Sequence, residues 1–121
     1  MMATAEQTVG AVLDAINKRY VVETYKTDDG LGGYTLYSDG FCEQWGVYFF
    51  PSLQTQYQDV IVPLYKEFKD TNYFTSATVF SNRGNWVGTY ISHPNTANSI
   101  EINCAGETTE GPAWQAKGYI V

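Results

Sequence analysis

The stretch GYTLYSDGFCEQWG, residues 33–46, decides the fold class of this chain. Two short runs rich in aromatic, Thr and Leu residues suit a pleated, half-buried surface. They are separated by Ser38-Asp39-Gly40, whose glycine can take the positive φ of a tight turn, so we expect a β-hairpin. In the second arm, period-two alternation puts one set of side chains on each face: Phe41, Glu43, Trp45 and Val47 against Cys42, Gln44, Gly46 and Tyr48. Neither set is cleanly apolar, so the pattern leaves open which face is the core.

Other runs along the chain also predict short strands. Ser99 to Cys104 alternates, with Ile100, Ile102 and Cys104 expected inward and Glu101 and Asn103 outward. The last segment sets Trp114, Ala116, Gly118 and Ile120 against Gln115, Lys117 and Tyr119. Further strands are expected at residues 21–25, 60–65, 75–80 and 86–91, the last two joined as a hairpin, with His93-Pro94-Asn95 opening another loop. Pro63 places its strand at a sheet edge or a strand end. Seven or eight short strands indicate an all-β, antiparallel β-sandwich.

The first residues have a different period. Thr4 and Gln7 have the spacing of a capping box, and apolar residues recur on one face of a helix from Thr4 to Tyr20. The residues Val9, Leu13, Ile16 and Tyr20 follow the spacing of a coiled coil, with a choice of side chains that favours three or more strands. A trimeric neck and an amphipathic helix folded back on its own domain both fit. We assign residues 1–22 to a short helical neck and 23–121 to the sandwich.

Composition limits the function classes. A chain of 121 residues fits a single domain with its own core. The net charge is −6 with only 7 Lys and Arg, which argues against a nucleic-acid partner. No apolar run reaches the length of a membrane span, and no secretory leader is evident, so we expect cytoplasmic synthesis. Only two cysteines, Cys42 and Cys104, are present, which favours free thiols over a disulfide.

Catalytic chemistry finds little support. Any nucleophilic triad or dyad would have to be built on the single histidine, His93, and no nucleophile motif accompanies it. Zinc would need about four Cys or His ligands, more than the chain has. Asp39 and Glu43 are four residues apart across the turn, but Asp39 fits a turn-forming role better than a glycosidase one. No phosphate-binding glycine loop is present. We therefore predict no enzyme activity, no cofactor and no metal.

What remains is a binding surface. Aromatic rings and amides in loops are suited to hold a sugar or a protein ligand, although the same residues could fill the core or solvate turns. The candidate residues for receptor binding are Tyr57, Tyr73, Asn82, Arg83, Asn85, Trp86, His93 and Asn95.

A family resemblance rests on both ends of the sandwich sequence. Gly33-Tyr34, the turn at Gly40 and Gln44-Trp45-Gly46 resemble the opening hairpin of the C-terminal receptor-binding tip domains of bacteriophage and prophage tail fibres. The run from Trp114 to Tyr119 is similar to the Trp-x-Ala-x-Gly-Tyr closing strand of those domains, and residues 60–73 are similar to their middle strand and loop. Cys42-Glu43 departs from the apolar pair that is more usual there.

The resemblance implies a function and an assembly. The chain would be the host-recognising tip of a tail fibre, a homotrimer made in the host cytoplasm and located in the virion. Its partner would be a host cell-surface glycan or protein, bound at the end of the sandwich away from the neck, with residues 82–86 as the best candidate loop. A lectin-like carbohydrate-binding module of a bacterial protein and a purely structural trimerisation cap are the alternatives.

Overall fold

The computed structural model describes residues 18–50, 58–79, 89–105 and 111–121. Within these ranges the chain forms strands and no helix, which confirms the all-β class. The eight strands are β1 (Val21–Lys26), β2 (Gly33–Tyr37), β3 (Phe41–Val47), β4 (Gln58–Pro63), β5 (Phe74–Val79), β6 (Thr89–Thr96), β7 (Ser99–Ala105) and β8 (Pro112–Tyr119).

The predicted helical neck falls largely outside the described residues. Residues 1–17, with Val9, Leu13 and Ile16, are not among them, and residues 18–20 are not helical. β1 begins at Val21, so Val21 and Val22 belong to the sandwich rather than to the neck that was assigned to residues 1–22. The β-branched side chains of this run favour the extended backbone over a helix.

Two antiparallel sheets make up the described fold. The larger sheet has the order β1-β2-β3-β8-β5, and the smaller has the order β4-β7-β6. The last strand, β8, therefore lies between β3 and β5 and pairs with both of them. β4 is an edge strand that ends at Pro63, as the missing N–H of that proline predicted.

The β2–β3 hairpin forms as the sequence predicted, and it settles which face of β3 is inside. Gly40 has φ of +88°, in the left-handed region that a glycine adopts most readily. Cys42, Gln44 and Gly46 point inward and are buried, whereas Phe41, Glu43, Trp45 and Val47 are half-buried on the outer face. We call this the outer face of the larger sheet.

The core lies between the two sheets and gives the fold its sandwich-like character. The larger sheet contributes Cys42, Trp114 and Ala116, the smaller contributes Val60, Val62, Ile100, Ile102 and Cys104, and the connections add Phe50, Phe68 and Tyr73. The inward positions of β7 are those that alternation predicted, and in β8 the set with Trp114 and Ala116 is the one that faces the core. Both cysteines are free thiols within this core, as expected, and burial raises the pKa of each to about 11.

One buried amide holds a connection against the larger sheet. Gln44 is 1% exposed. Its Oε1 accepts from the backbone N–H groups of Tyr65 and Lys66, at 2.9 and 3.0 Å, and its Nε2 donates to the Lys66 carbonyl at 2.8 Å. All three groups lie on the turn after β4, where no strand neighbour could satisfy them.

Two predictions about the second half of the sandwich were wrong. β5 and β6 do not pair as a hairpin: β5 pairs with β8 in the larger sheet and β6 with β7 in the smaller. The loop expected at His93-Pro94-Asn95 is part of β6. Proline is tolerated there because β6 is an edge strand and its register shifts between Pro94 and Thr96.

Candidate functional site

The sandwich has two distinct ends, and the N-terminal chain arrives at one of them. The backbone N–H of Ser38 donates to the carbonyl of Tyr20 at 2.7 Å, and the N–H of Tyr20 donates to Ser38 Oγ at 3.1 Å. The C-terminal residues lie here too, since Ile120 N–H donates to the Gly40 carbonyl at 2.9 Å. We call this the near end.

Arg19 fixes the arriving chain to the near end. Its guanidinium donates twice to Asp39 Oδ2, at 2.9 and 2.7 Å, and lies 4.7 Å from the centre of the Phe41 ring and 5.4 Å from that of Tyr37. Desolvation raises the pKa of Asp39, but hydrogen bonds from Arg19 and from the Phe41 N–H outweigh it and leave that pKa below its usual value. The position of residues 19 and 20 on the sandwich is therefore well defined.

The opposite end, the far end, carries the strand ends that flank residues 51–57, 80–88 and 106–110. Val47 pairs with Ala113 there, and Val79 pairs with Pro112 in the same sheet. In the smaller sheet Thr89 pairs with Ala105. The β1–β2 connection, residues 27–32, also turns at this end. Side chains near the far end are thus the ones most distant from the arriving N-terminal chain.

A pocket opens on the outer face of the larger sheet near the far end. Its volume is about 320 Å³, and it extends from the β1–β2 connection across β3 and β8 to β5. The outward-facing side chains that line it, with one from the connection, are Leu31, Trp45, Val47, Ser76, Thr78, Ala113 and Gln115, and Trp114 of β8 also lines it. The cross-strand register places Trp45 opposite Gln115 and Ser76 opposite the same glutamine on the other side.

The position of Trp45 depends on a glycine in the neighbouring strand. Gly33 pairs directly with Trp45, and a Cβ at Gly33 would stand 3.0 Å from Cζ2 of the indole ring. The ring therefore lies against the bare backbone of β2. Gly46 has the same relation on the inner face, where a Cβ would stand 2.7 Å from Cζ2 of Trp114.

The polar groups of the pocket are unengaged within the part of the chain that the structure describes. Ser76, Thr78 and Gln115 make no side-chain hydrogen bond to another described residue. Each can both donate and accept a hydrogen bond. None of the lining residues carries an ionisable side chain. The pocket thus combines an indole ring and aliphatic groups with neutral hydrogen-bonding groups that are free to meet a ligand.

The candidates chosen from the sequence fall into three groups. Tyr57 and the loop residues Asn82, Arg83, Asn85 and Trp86 lie outside the described residues. The strand residues on either side of 80–88 are Val79 and Thr89, both at the far end, and Val79 follows the pocket residue Thr78. Of these two strand ends, only that of β5 adjoins the pocket, through Thr78.

Tyr73 belongs to the core and offers no surface to a ligand. It is 8% exposed, its ring stacks on Phe68 with 4.3 Å between centroids, and its Oη lies 2.7 Å from the carbonyls of Thr96 and Ser99. Both rings pack over Gly118, where a Cβ would stand 2.6 Å from the Cβ of Tyr73. Burial raises the pKa of Tyr73 to about 12.

His93 and Asn95 lie on the smaller sheet, apart from the pocket. His93 Nε2 stands 2.6 Å from Glu101 Oε2, directly across the β6–β7 ladder. Asn95 Nδ2 donates to Ser99 Oγ at 3.0 Å beside the β6–β7 turn. That turn is at the near end, because the Phe68 N–H donates to the Ala97 carbonyl and the next N–H, that of Lys69, donates to the carbonyl of Tyr119. The two residues therefore do not extend the far-end site.

Sequence reasoning missed the pocket because its members lie on strands rather than loops. Alternation does place Trp45 and Gln115 on faces of their own strands, but only the pairing of β3 with β8 brings the two together. Ser76 and Thr78 join them through the pairing of β5 with β8, which replaced the expected β5–β6 hairpin. A Trp beside a glycine was the one signal in the sequence.

Among the described residues, no group of three or more His, Cys, Asp or Glu side chains is placed to hold a metal ion. The same residues include no helix with the length and apolar character needed to cross a membrane. Comparison of the chain with known protein families, with curated proteins and with solved structures finds no match.

Proposed function

We propose that this chain is the receptor-binding tip of a phage or prophage tail fibre and acts as a non-enzymatic homotrimer. The observation that carries the proposal is the polarity of the sandwich. The N-terminal chain is fastened at the near end through Arg19 and Ser38, and the pocket with unengaged polar groups lies toward the far end. A fibre tip needs this arrangement, because its shaft enters at one end and its receptor meets the other.

The exposed surface beside the N-terminal chain supports self-association. Tyr20, Val21 and Val22 are 58%, 50% and 51% exposed, and every residue of the edge strand β1 is exposed. Unpaired edges with apolar side chains are usually covered in working proteins. Tyr20 is the last residue of the spacing that begins with Val9, Leu13 and Ile16, so copies of the chain would cover it and the two valines beside it around a threefold axis in the proposed trimer.

The assembly can be tested by light scattering on the purified chain at micromolar concentration. We expect three times the chain mass of 13.5 kDa. Substituting Leu13 and Ile16 by Asp should give a monomer whose sandwich still unfolds cooperatively, because the proposed neck would keep these residues apart from the core. A parent protein that is monomeric would contradict the trimer.

Receptor binding can be tested by adsorption of the fluorescently labelled chain to a panel of bacterial strains. We expect saturable binding to some strains, competed by unlabelled chain and weakened by the substitution of Arg83 and Asn85 by Ala with an unchanged melting temperature. Saturable binding to no strain would contradict the receptor-binding function. If the double variant binds as well as the parent, residues 82–86 are not the receptor-binding site, and the site must lie elsewhere at the far end.

A lectin-like module of a bacterial protein is the second candidate, and the pocket with Trp45 and Gln115 is the observation that favours it. Both functions would use the same surface. They differ in assembly and target: a lectin-like module would bind isolated glycans as a monomer, whereas a fibre tip would bind whole host cells as a trimer and lose adsorption when it is made monomeric.

A further inference from the structure

We infer that the pocket at Trp45 binds one neutral sugar ring of the receptor. This inference deepens the proposed receptor-binding function and rests on it. It assigns a ligand class to a site on the sheet face rather than to the loops at the tip.

The size of the pocket sets the scale of the ligand. Its volume of about 320 Å³ is at the lower end of the range of ligand pockets, roughly 300–1,000 Å³. A single six-membered sugar ring with its substituents suits such a volume, whereas a folded protein segment would need a broader surface. The pocket also opens onto the face of a sheet, so a longer glycan could continue beyond it.

The absence of charged side chains from the lining argues against an anionic ligand. No lining side chain is ionisable, and the two outward charges next along β3 and β8 are Glu43 and Lys117, which face each other across the ladder. A phosphate or carboxylate would be recognised by Arg, Lys or a cluster of backbone N–H groups, and the lining provides no such side chain. A neutral ligand meets no charged side chain of the lining.

The chemistry of the lining matches the two-sided character of a sugar. A pyranose has an apolar C–H face and a rim of hydroxyl groups, each both donor and acceptor. The indole of Trp45 provides an apolar surface that is held in place against Gly33, and its N–H can donate a hydrogen bond. Ser76, Thr78 and Gln115 provide hydroxyl and amide groups with the same dual capacity as the sugar rim.

The test uses neutral monosaccharides as probes on the full chain. The methyl glycosides of glucose, galactose, mannose and N-acetylglucosamine are titrated to millimolar concentration while the indole N–H signals of ¹⁵N-labelled protein are recorded. The Trp45 signal is assigned by its loss in Trp45→Phe. We expect at least one glycoside to shift the Trp45 signal saturably.

Two variants and a matched control locate the binding. Thr78→Val and Gln115→Ala should each raise the Kd of the glycoside about tenfold, which is the effect of losing one well-made hydrogen bond to a ligand. Thr35→Val is the control, because Thr35 is also a threonine on the outer face of the same sheet: it lies in β2, pairs with Glu43 and does not line the pocket. This variant should leave both the Kd of the glycoside and the melting temperature unchanged.

The outcomes separate this inference from the receptor-binding function. If no glycoside shifts the Trp45 signal while the chain adsorbs to cells, the sugar assignment is wrong and the receptor-binding function stands. Equal weakening by Thr35→Val would also overturn the assignment. If glycosides bind at Trp45 but no strain adsorbs the chain, the sugar site stands and the fibre-tip function fails.

Discussion

Substitution of Gln44 by Leu should loosen the connection after β4 without disturbing the sheets. Leu has nearly the shape of Gln and keeps the apolar contacts of the side chain, so the change removes hydrogen bonds more than volume. Three partners lose their bonds: the N–H groups of Tyr65 and Lys66 and the carbonyl of Lys66. The turn is only partly buried, so part of it can move outward to water.

The magnitude follows from the number of partners. Each buried polar group left unsatisfied costs about 1–3 kcal/mol, and outward movement of the turn recovers a share of that. We expect the free energy of unfolding to fall by about 2–4 kcal/mol, a large part of the ~5–15 kcal/mol that holds an ordinary domain together. Urea unfolding followed by tryptophan fluorescence measures the change.

Gln115→Leu is the matched control for this prediction. Gln115 lies on the strand that pairs with β3, is exposed, and makes no side-chain hydrogen bond to the rest of the described chain. Its replacement should change the free energy of unfolding by no more than ~0.5 kcal/mol. A cost below ~0.5 kcal/mol for Gln44→Leu, or equal costs for the two variants, would refute the role given to the buried amide.

Three further predictions concern the core. Gly46→Ala should cost about 1–3 kcal/mol of unfolding free energy in urea titrations, because the new Cβ would stand 2.7 Å from Trp114 Cζ2 and the ring must move; an unchanged midpoint would show that the ring has room. The thiols of Cys42 and Cys104 should react with Ellman's reagent only after unfolding, and immediate reaction of the native protein would contradict their burial. Because burial raises their pKa from 9.0 to about 11, the stability they contribute is complete below pH 9 and lost as the pH rises toward 11. Urea midpoints measured across that range should fall, and replacing both cysteines by Ala should flatten the decline.

The sequence predicted local structure well wherever alternation and turn chemistry agreed. The β2–β3 turn, the inward set of β7 and the two faces of β8 all follow from side chains within a few residues of one another. Strand bounds differ by only a few residues where polar neighbours continue the extended backbone, as at Gln58 and Thr96.

Long-range pairing was beyond sequence reasoning, and the candidate site depends on it. The local sequence does not distinguish a β5–β6 hairpin from two strands that belong to different sheets, because both consist of two strands joined by a polar connection. The same limit applies to Tyr73. Its neighbours are polar, which suggested a loop, yet the two carbonyls that satisfy its hydroxyl come from residues more than twenty positions away.

The three residues Gln44-Trp45-Gly46 show how closely the fold and the candidate site are joined. Gln44 faces inward and makes hydrogen bonds to the turn after β4. Gly46 also faces inward, and its lack of a side chain leaves room for the ring of Trp114. Trp45 alone faces outward, into the pocket. A substitution at Trp45 therefore changes the ligand surface and a cross-strand packing contact together, so a loss of binding there would be ambiguous. Gln115 and Thr78 touch the same pocket and support no hydrogen bond within the described chain, so they are the positions at which binding can be changed while the fold is left intact.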